Sequence, residues 1–320
     1  MVTAGLRVVF FGTPDFAVPT LEALFQSRHI VAGVVTQPDR PRGRGHKTTD
    51  APVKALAAAS AVPVLQPPRL RDPAFLDELT ALNADVGVVA AYGKILTDQV
   101  LAAPKRGLLN VHASLLPRYR GAAPVHRAVI AGERETGITI MRVVQALDAG
   151  PMLATVARPI GADETSDDVE RDLARLGAAL LVGTLDRLAL GDVPEIPQLE
   201  GQATYARKLT KEDGLVDWSA PAEGIHNLIR GLHPWPHAYT FLDSRRFILR
   251  RSRWTDSPAG AGAGTIVEAA GGRLAVATGS GLIEITELQA EGKRPMTVRE
   301  FLPGHPLPPG SRFGSPATPP

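Results

Sequence analysis

The chain has 320 residues, 44% of them hydrophobic and none of them cysteine, which excludes disulfides, a thiolate nucleophile, cysteine-ligated zinc and iron–sulfur clusters. Thirty-five basic residues against 33 acidic ones leave a net charge of +2, so bulk charge gives no case for a nucleic-acid partner. No apolar run reaches the ~18 residues of a membrane span and the N-terminus lacks a signal-peptide layout, so a cytoplasmic, monomeric chain of two domains, with no membrane partner, is expected.

Leu6–Phe11 is a short apolar run closed by Gly12-Thr13-Pro14 and predicts a buried strand. Asp15–Gln26 has helical apolar spacing, with Pro19 as its one discordant residue. Ile30–Thr36 predicts a second strand, Pro52–Ala61 a helix, Pro63–Leu65 a short strand and Pro73–Leu82 another helix. Val86–Ala91 and Leu108–His112 are two further apolar strands. Strands that are apolar throughout, alternating with helices, imply a parallel sheet covered on both faces. Ile138–Val143 and Met152–Pro159 flank Asp148-Ala149-Gly150 and predict a strand, a tight loop and an antiparallel return. Thr165 and Asp168 form a capping-box pattern at the head of a long helix over Ser166–Leu190.

Gly191–Gly201 is rich in Pro and Gly and reads as a linker, taken over 191–207, after a first domain of 1–190. A helical stretch near Ile225–Leu232 is followed by short strands at Ala238–Leu242, Arg246–Arg250, Gly264–Glu268, Leu274–Thr278 and Leu282–Leu288. Turn residues separate them, which predicts a small β-barrel over 208–302. In 303–320, 10 of 18 residues are Pro or Gly, and that tail is expected to be disordered.

The most informative segment is NVHASLLPRYRGAAP, Asn110–Pro124. Asn110 and His112 stand two apart at the end of a predicted strand and therefore project to one side. An amide there can donate to a developing oxyanion, and an imidazole can move a proton near neutral pH. The same pair also suits a turn amide and a packed histidine. Ser114, Leu115, Leu116 and Pro117 follow, a loop able to shape a pocket for a flat heterocycle. Asp148 taken alone is an ordinary turn residue; beside an imidazole, a carboxylate would orient it.

The Asn-x-His, Ser-Leu-Leu-Pro pattern resembles the signature of the 10-formyltetrahydrofolate-dependent formyltransferases. That family also uses an aspartate in an Asp-x-Gly loop, which Asp148 in LDAGPM matches. The resemblance implies an α/β fold: a Rossmann-like, mostly parallel sheet with a smaller, OB-like β-barrel after it. It assigns Asn110, His112 and Asp148 as the catalytic trio and 10-formyltetrahydrofolate as formyl donor. The folate pterin is expected against Ser114–Pro117 and the loop containing Ala90, Tyr92 and Gly93. FFGTPDFAVPTLEAL at Phe10–Leu24, TQPDRPRGRGHK at Thr36–Lys47, AAYGKIL at Ala90–Leu96, YARKLTKEDGLVDW at Tyr205–Trp218 and LHPWPHAYT at Leu232–Thr240 extend the resemblance over about residues 6–300. They are similar to the members of the family whose acceptor is the α-amino group of methionine on initiator tRNA. An amino-sugar nucleotide as acceptor, or hydrolysis of the donor, remains open on the trio alone.

Arg40, Arg42, Arg44 and Lys47 give one loop a net charge of +3 against Asp39. The resemblance implies that this loop reaches the tRNA acceptor end, with Arg44 at the contacting position. Arg245, Arg246, Arg250, Arg251 and Arg253 crowd one later strand, from which Arg246 and Arg250 are expected to meet RNA phosphates. A single glycine after the first strand falls short of a dinucleotide fingerprint. His126, His226, His233 and His237 lack metal-ligand spacing, so no metal is expected.

Overall fold

A computed structural model describes residues 5–39, 41–42, 47–48 and 50–315. The chain forms two compact units, one of Met1–Pro124, Glu135–Arg158 and Glu170–Ala206, the other of Val125–Arg134, Pro159–Val169 and Arg207–Pro320. The division thus does not follow one cut at residue 190: two short excursions of the N-terminal half cluster with the C-terminal half.

The N-terminal half runs β1 (Arg7–Gly12), α1 (Val18–Gln26), β2 (Ile30–Val35), β3 (Pro41–Arg42), β4 (Lys47–Thr48), α2 (Pro52–Ala59), β5 (Val64–Leu65), α3 (Pro73–Ala81) and β6 (Val86–Ala90). It continues through α4 (Asp98–Ala102), β7 (Leu108–His112), β8 (Arg120–Gly121), α5 (Pro124–Ile130), β9 (Glu135–Arg142), β10 (Met152–Pro159), α6 (Ser166–Leu190) and β11 (Tyr205–Ala206). Seven strands form one sheet in the order β10-β9-β7-β6-β1-β2-β5. β5, β2, β1, β6 and β7 are mutually parallel, and β9 runs antiparallel to β7. Alternate residues of β1 bury on opposite faces: Val9 and Phe11 join a cluster with Phe75, Leu79 and Val100, while Val8 and Phe10 are equally buried on the other side. That two-sided burial is why the strand reads as an unbroken apolar run.

Pro19 ceases to be discordant because Asp15–Ala17 is a separate 3-10 turn and α1 begins only at Val18. The proline then sits in a first helical turn, where its missing N–H is not needed. At α6 the capping box forms, with the Asp168 amide donating to Thr165 Oγ1 (3.3 Å) and the Thr165 amide to Asp168 Oδ2 (3.0 Å).

The second unit contains α7 (Ala222–Gly231), β12 (Ala238–Leu242), β13 (Arg245–Thr255), β14 (Ile266–Ala270), β15 (Arg273–Ala277), β16 (Leu282–Ala290), β17 (Met296–Thr297) and α8 (Val298–Phe301). Its antiparallel sheet runs β12-β13-β16-β15-β14, with β17 on β16. The expected disordered tail is corrected for residues 303–315; its last five residues, 316–320, lie outside the described residues. Gly314 pairs with Phe241 on the β12 edge and Arg312 with Thr265 beside the β14 edge, so one segment bridges the two outermost strands. Phe313 and Leu307 are buried in the unit's core, and the Phe313 ring stacks on Trp218 at 5.6 Å. Pro and Gly lower the segment's regular-structure content, but two apolar anchors and paired backbone groups hold it.

The expected linker is corrected as well. Ile196 exchanges both backbone hydrogen bonds with Met152 at 2.8 Å. Arg142 pairs with Glu195, and β11 pairs in parallel with β8. Residues 195–206 are therefore a strap laid on the first unit. No helix among the described residues is long and apolar enough to cross a membrane.

Candidate active site

The carboxyl ends of β1, β6 and β7 lie side by side, the edge at which open α/β sheets receive ligands. On β7, Leu109 and Val111 bury against one face, so Asn110 and His112 share the other. Asn110 lies opposite Val89 and Met141, and His112 opposite Thr139. Thr139 also anchors the loop that follows: its hydroxyl donates to the Ser114 carbonyl (2.7 Å) and accepts from the Leu116 amide (3.2 Å).

His112 is 5% exposed and both of its ring nitrogens face oxygen. Nε2 lies 3.1 Å from the Tyr119 carbonyl, which can only accept, so Nε2 carries the hydrogen. Nδ1 faces Asp148 Oδ2 at 3.7 Å, and that oxygen accepts a hydrogen bond from the Gly121 amide at 2.8 Å. Two turns create this meeting. Tyr119 has φ +60° and turns its carbonyl to the imidazole; Asp148 has φ +47° in the loop between β9 and β10. The three residues singled out in the sequence are thus gathered at one strand end, with the carboxylate beside the imidazole.

The expected folate-contacting residues divide into two groups. The Ser114 side chain is spent within its own loop, donating to the Arg118 carbonyl at 2.6 Å, and Leu116 is buried. Leu115 and Pro117 are half-buried. The Tyr92 side chain is turned away from any ligand: its ring belongs to the core, edge-on to Phe11 at 5.7 Å, and burial pushes its hydroxyl up to about 12. What the Ala90–Gly93 segment offers is backbone, turned by φ +47° at Ala91 and +78° at Gly93 and tied by Gln37 Nε2 to the Tyr92 carbonyl at 2.7 Å. A separate cavity of ≈ 710 Å³ opens beyond it, lined by Arg69, Arg71, Lys94, Ile95 and Gln145, and includes none of the trio.

Of the basic residues, Arg40 and Arg44 lie outside the described residues, and Arg42 is paired with Lys47 across the β3–β4 hairpin. Arg246 stacks over the Tyr239 ring at 4.0 Å. Arg250 donates to Glu287 Oε1 (2.8 Å) and to His237 Nε2 (3.2 Å). Burial, followed by the Arg250 and His233 charges, pushes His237 down to about 4, consistent with its accepting role. The register of β13 against β16 shifts on both sides of Arg251. Because of this bulge Leu249 and Ser252 both point inward, and Arg250 and Arg251 are adjacent on the outer side with Arg253 beyond them. Among the described residues no three His, Asp or Glu are grouped to hold a metal ion.

Sequence reasoning missed Gly121, Arg120 and Gln198. Gly121 and Arg120 follow the motif directly, and a glycine after Arg was a readable sign of a special backbone. Gln198 gave no sign within its Pro-rich stretch.

A family model described as formyl transferase matches residues 6–185, and one described as the formyl transferase C-terminal domain matches residues 208–306. The methionyl-tRNA formyltransferase of Moorella thermoacetica is 46% identical over 309 residues, 97% of this chain and 99% of that protein. That of Citrifermentans bemidjiense is 47% identical over 311 residues, 97% of each. In structure, the chain is similar to an N-formyltransferase from Helicobacter canadensis solved with folinic acid and dTDP-3-aminofucose, with TM-score 0.68 and 17% identity over 88% of this chain and 98% of that one.

Proposed function

This chain belongs to the formyl transferase family, and from that premise we propose that it transfers the formyl group of 10-formyltetrahydrofolate to the α-amino group of methionine on initiator tRNA. The observation that carries the reading is the meeting of Asn110, His112 and Asp148 at one strand end, in a chain whose full-length relatives bear that activity in their names. The donor supplies the formyl carbon. The acceptor amine must be neutral to attack it, and an α-amino group has a pKa of about 7.7–8, so its deprotonation is within reach near neutral pH. A C–N bond to the methionine amine forms, the bond to the folate nitrogen breaks, and one proton passes from the first nitrogen to the second.

Asn110 donates to the formyl oxygen as it gains charge. His112 carries the proton between the nitrogens: Nε2 leaves its Tyr119 contact and takes up the amine proton in the tautomer whose hydrogen sits on Nδ1, where Asp148 holds the ring. The folate pterin lies on the backbone of Ala90–Gly93 and against Leu115 and Pro117. Phosphates of the tRNA are met by the Arg40–Lys47 loop and by the outer arginines of β13. The chain works as a cytoplasmic monomer, where aminoacylated tRNA is made and used, and its chemistry as drawn uses side chains alone.

The test is to supply 10-formyltetrahydrofolate with methionyl-tRNA, with an amino-sugar nucleotide, or with no acceptor. Formylmethionyl-tRNA as the dominant product is the expected result. Faster formylation of the sugar, or formate release without an acceptor at a comparable rate, overturns the reading.

A further inference from the structure

The strap over residues 195–206 carries a polar chain, anchored on buried Arg120, that is aimed at Asp148. Arg120, 1% exposed at the head of β8, has an acceptor at every guanidinium nitrogen. Nη1 and Nη2 grip Glu200 at 3.0 and 2.7 Å, and Nε donates to Gln198 Oε1 at 3.0 Å. With its carbonyl oxygen held by a cation, the Gln198 amide must turn its nitrogen the other way. That nitrogen donates to two backbone carbonyls, those of Asp148 (2.8 Å) and Gly150 (2.7 Å). The Ile196–Met152 pairing fixes the strap in register beside the same loop.

Asp148 needs such support. It sits at φ +47°, a backbone region that a side-chain-bearing residue keeps when its surroundings hold it there. Its own carboxylate is occupied with Gly121 and His112, so the loop's carbonyls are secured from the strap. Among the mostly exposed residues 191–200, Gln198 is one of only two that are half-buried.

We infer that Gln198 is a positioning residue for formyl transfer: locked by Arg120, it holds the Asp148 backbone so that Oδ2 stays opposite His112. The inference rests on the reading of Asp148 as the carboxylate that orients His112. Neither family match reaches Gln198, since the first ends at residue 185 and the second begins at 208.

The experiment compares wild type, Gln198→Leu, Gln198→Glu, Asp148→Asn and the double variant Gln198→Leu/Asp148→Asn in the full-length chain. It reads kcat, the KM for each substrate and the thermal midpoint. Gln198→Leu is expected to lower kcat on the order of 10–100-fold, the scale of a roughly 1 Å misplacement, with both KM values little changed. Gln198→Glu still accepts from Arg120 but cannot donate to the two carbonyls, and is expected to match it. On the Asp148→Asn background the Leu substitution should cost far less, because the residue it positions is already disabled. Wild-type kcat in Gln198→Leu, or an equal cost on both backgrounds, overturns the inference while leaving Asp148 catalytic. A nearly wild-type Asp148→Asn overturns the reading of Asp148 and the inference with it.

Discussion

Gly121 and Asp148 are joined by a single hydrogen bond, from the Gly121 amide to Oδ2 at 2.8 Å, and that oxygen is the one facing His112. Only glycine is at ease there: Gly121 has φ +112°, and a Cβ would stand 2.8 Å from the Ala206 carbonyl oxygen on the strap. Gly121→Ala is therefore expected to turn the amide away from Asp148. The strain should cost about 1–3 kcal/mol of stability, and kcat should fall on the order of tenfold or more with KM little altered. Steady-state kinetics and a thermal melt on one preparation check both parts; an unchanged kcat would show that the amide does not hold the carboxylate in place.

Replacing the groups proposed to meet substrate should cost more. His112→Ala is expected to slow formylation by about 10²–10⁴, the range for a lost general acid–base group. Asn110→Ala should cost about 10²–10³, the range for a lost oxyanion donor. Single-turnover formylation measures both, with far-UV circular dichroism to confirm the fold. A His112→Ala rate near wild type would sink the proposed mechanism.

Phe313 is a core residue of the second unit although it lies in a Pro- and Gly-rich segment. It stacks on Trp218, meets Phe247 edge-on at 5.8 Å, and is 2% exposed. Phe313→Ala should destabilise that unit by about 3–5 kcal/mol. Denaturant unfolding followed by tryptophan fluorescence would read the loss, and an unchanged midpoint would contradict the burial.

Stability should also depend on pH through one buried histidine of the second unit, His226, and three half-buried ones, His126, His233 and His237. Burial, reinforced by the Arg127 charge, pushes His126 down to about 4, and His237 is likewise held down to about 4. His226 and His233 are lowered too, with burial again the largest cause. An unfolded chain binds these protons near pH 6.5 whereas the folded one binds them lower, so folding is most stable above about pH 6.5. Stability should fall as pH drops from there towards about 4 and level off below it as far as these groups are concerned. Urea melts across that window check the trend, and His126→Gln should make the slope shallower by roughly one proton.

The arginines of β13 should differ in their effect on tRNA. Arg251 and Arg253 are exposed on the outer side, whereas Arg250 is held by Glu287 and His237. Arg251→Ala and Arg253→Ala are expected to raise the KM for tRNA and each reduce its salt dependence by about one unit of log–log slope. Arg250→Ala should do less. Equal salt slopes in wild type and the Arg251→Ala/Arg253→Ala double variant would remove this face from the RNA-binding surface.

Much of the fold was legible because each element carried a local signal. β7 and α6 emerge over the predicted ranges, one from an apolar run and the other from a capping box and an apolar face. The trio was legible only through the family resemblance, since the two-residue period sets Asn110 and His112 on one side of a strand without giving either a role, and Asp148 alone reads as a turn residue. The misread parts depend on pairing partners far away in sequence. Arg312 and Gly314 are ordered by Thr265 and Phe241, and no local pattern in the segment announces those edges. Tyr92 stands beside a glycine in a loop-like sequence, yet its ring turns back into the core. The bulge at Arg251 inverts the alternation that would otherwise have set Arg251 and Arg253 on the same side as Phe247 and Leu249.

The strap also has a consequence for anyone recombining this protein with its relatives. A crossover at residue 190 would keep the whole seven-stranded sheet but import the donor's residues 195–206, and with them a foreign counterpart to Gln198, Glu200 and the Ala206 carbonyl. A crossover just after Ala206 keeps the Arg120–Gln198–Asp148 chain native and exchanges only the residues from Arg207 onward. Hybrids cut at the two points share Asn110, His112 and Asp148, and their difference in turnover would measure how far the sixteen residues 191–206, outside the seven-stranded sheet, govern the chemistry at its edge.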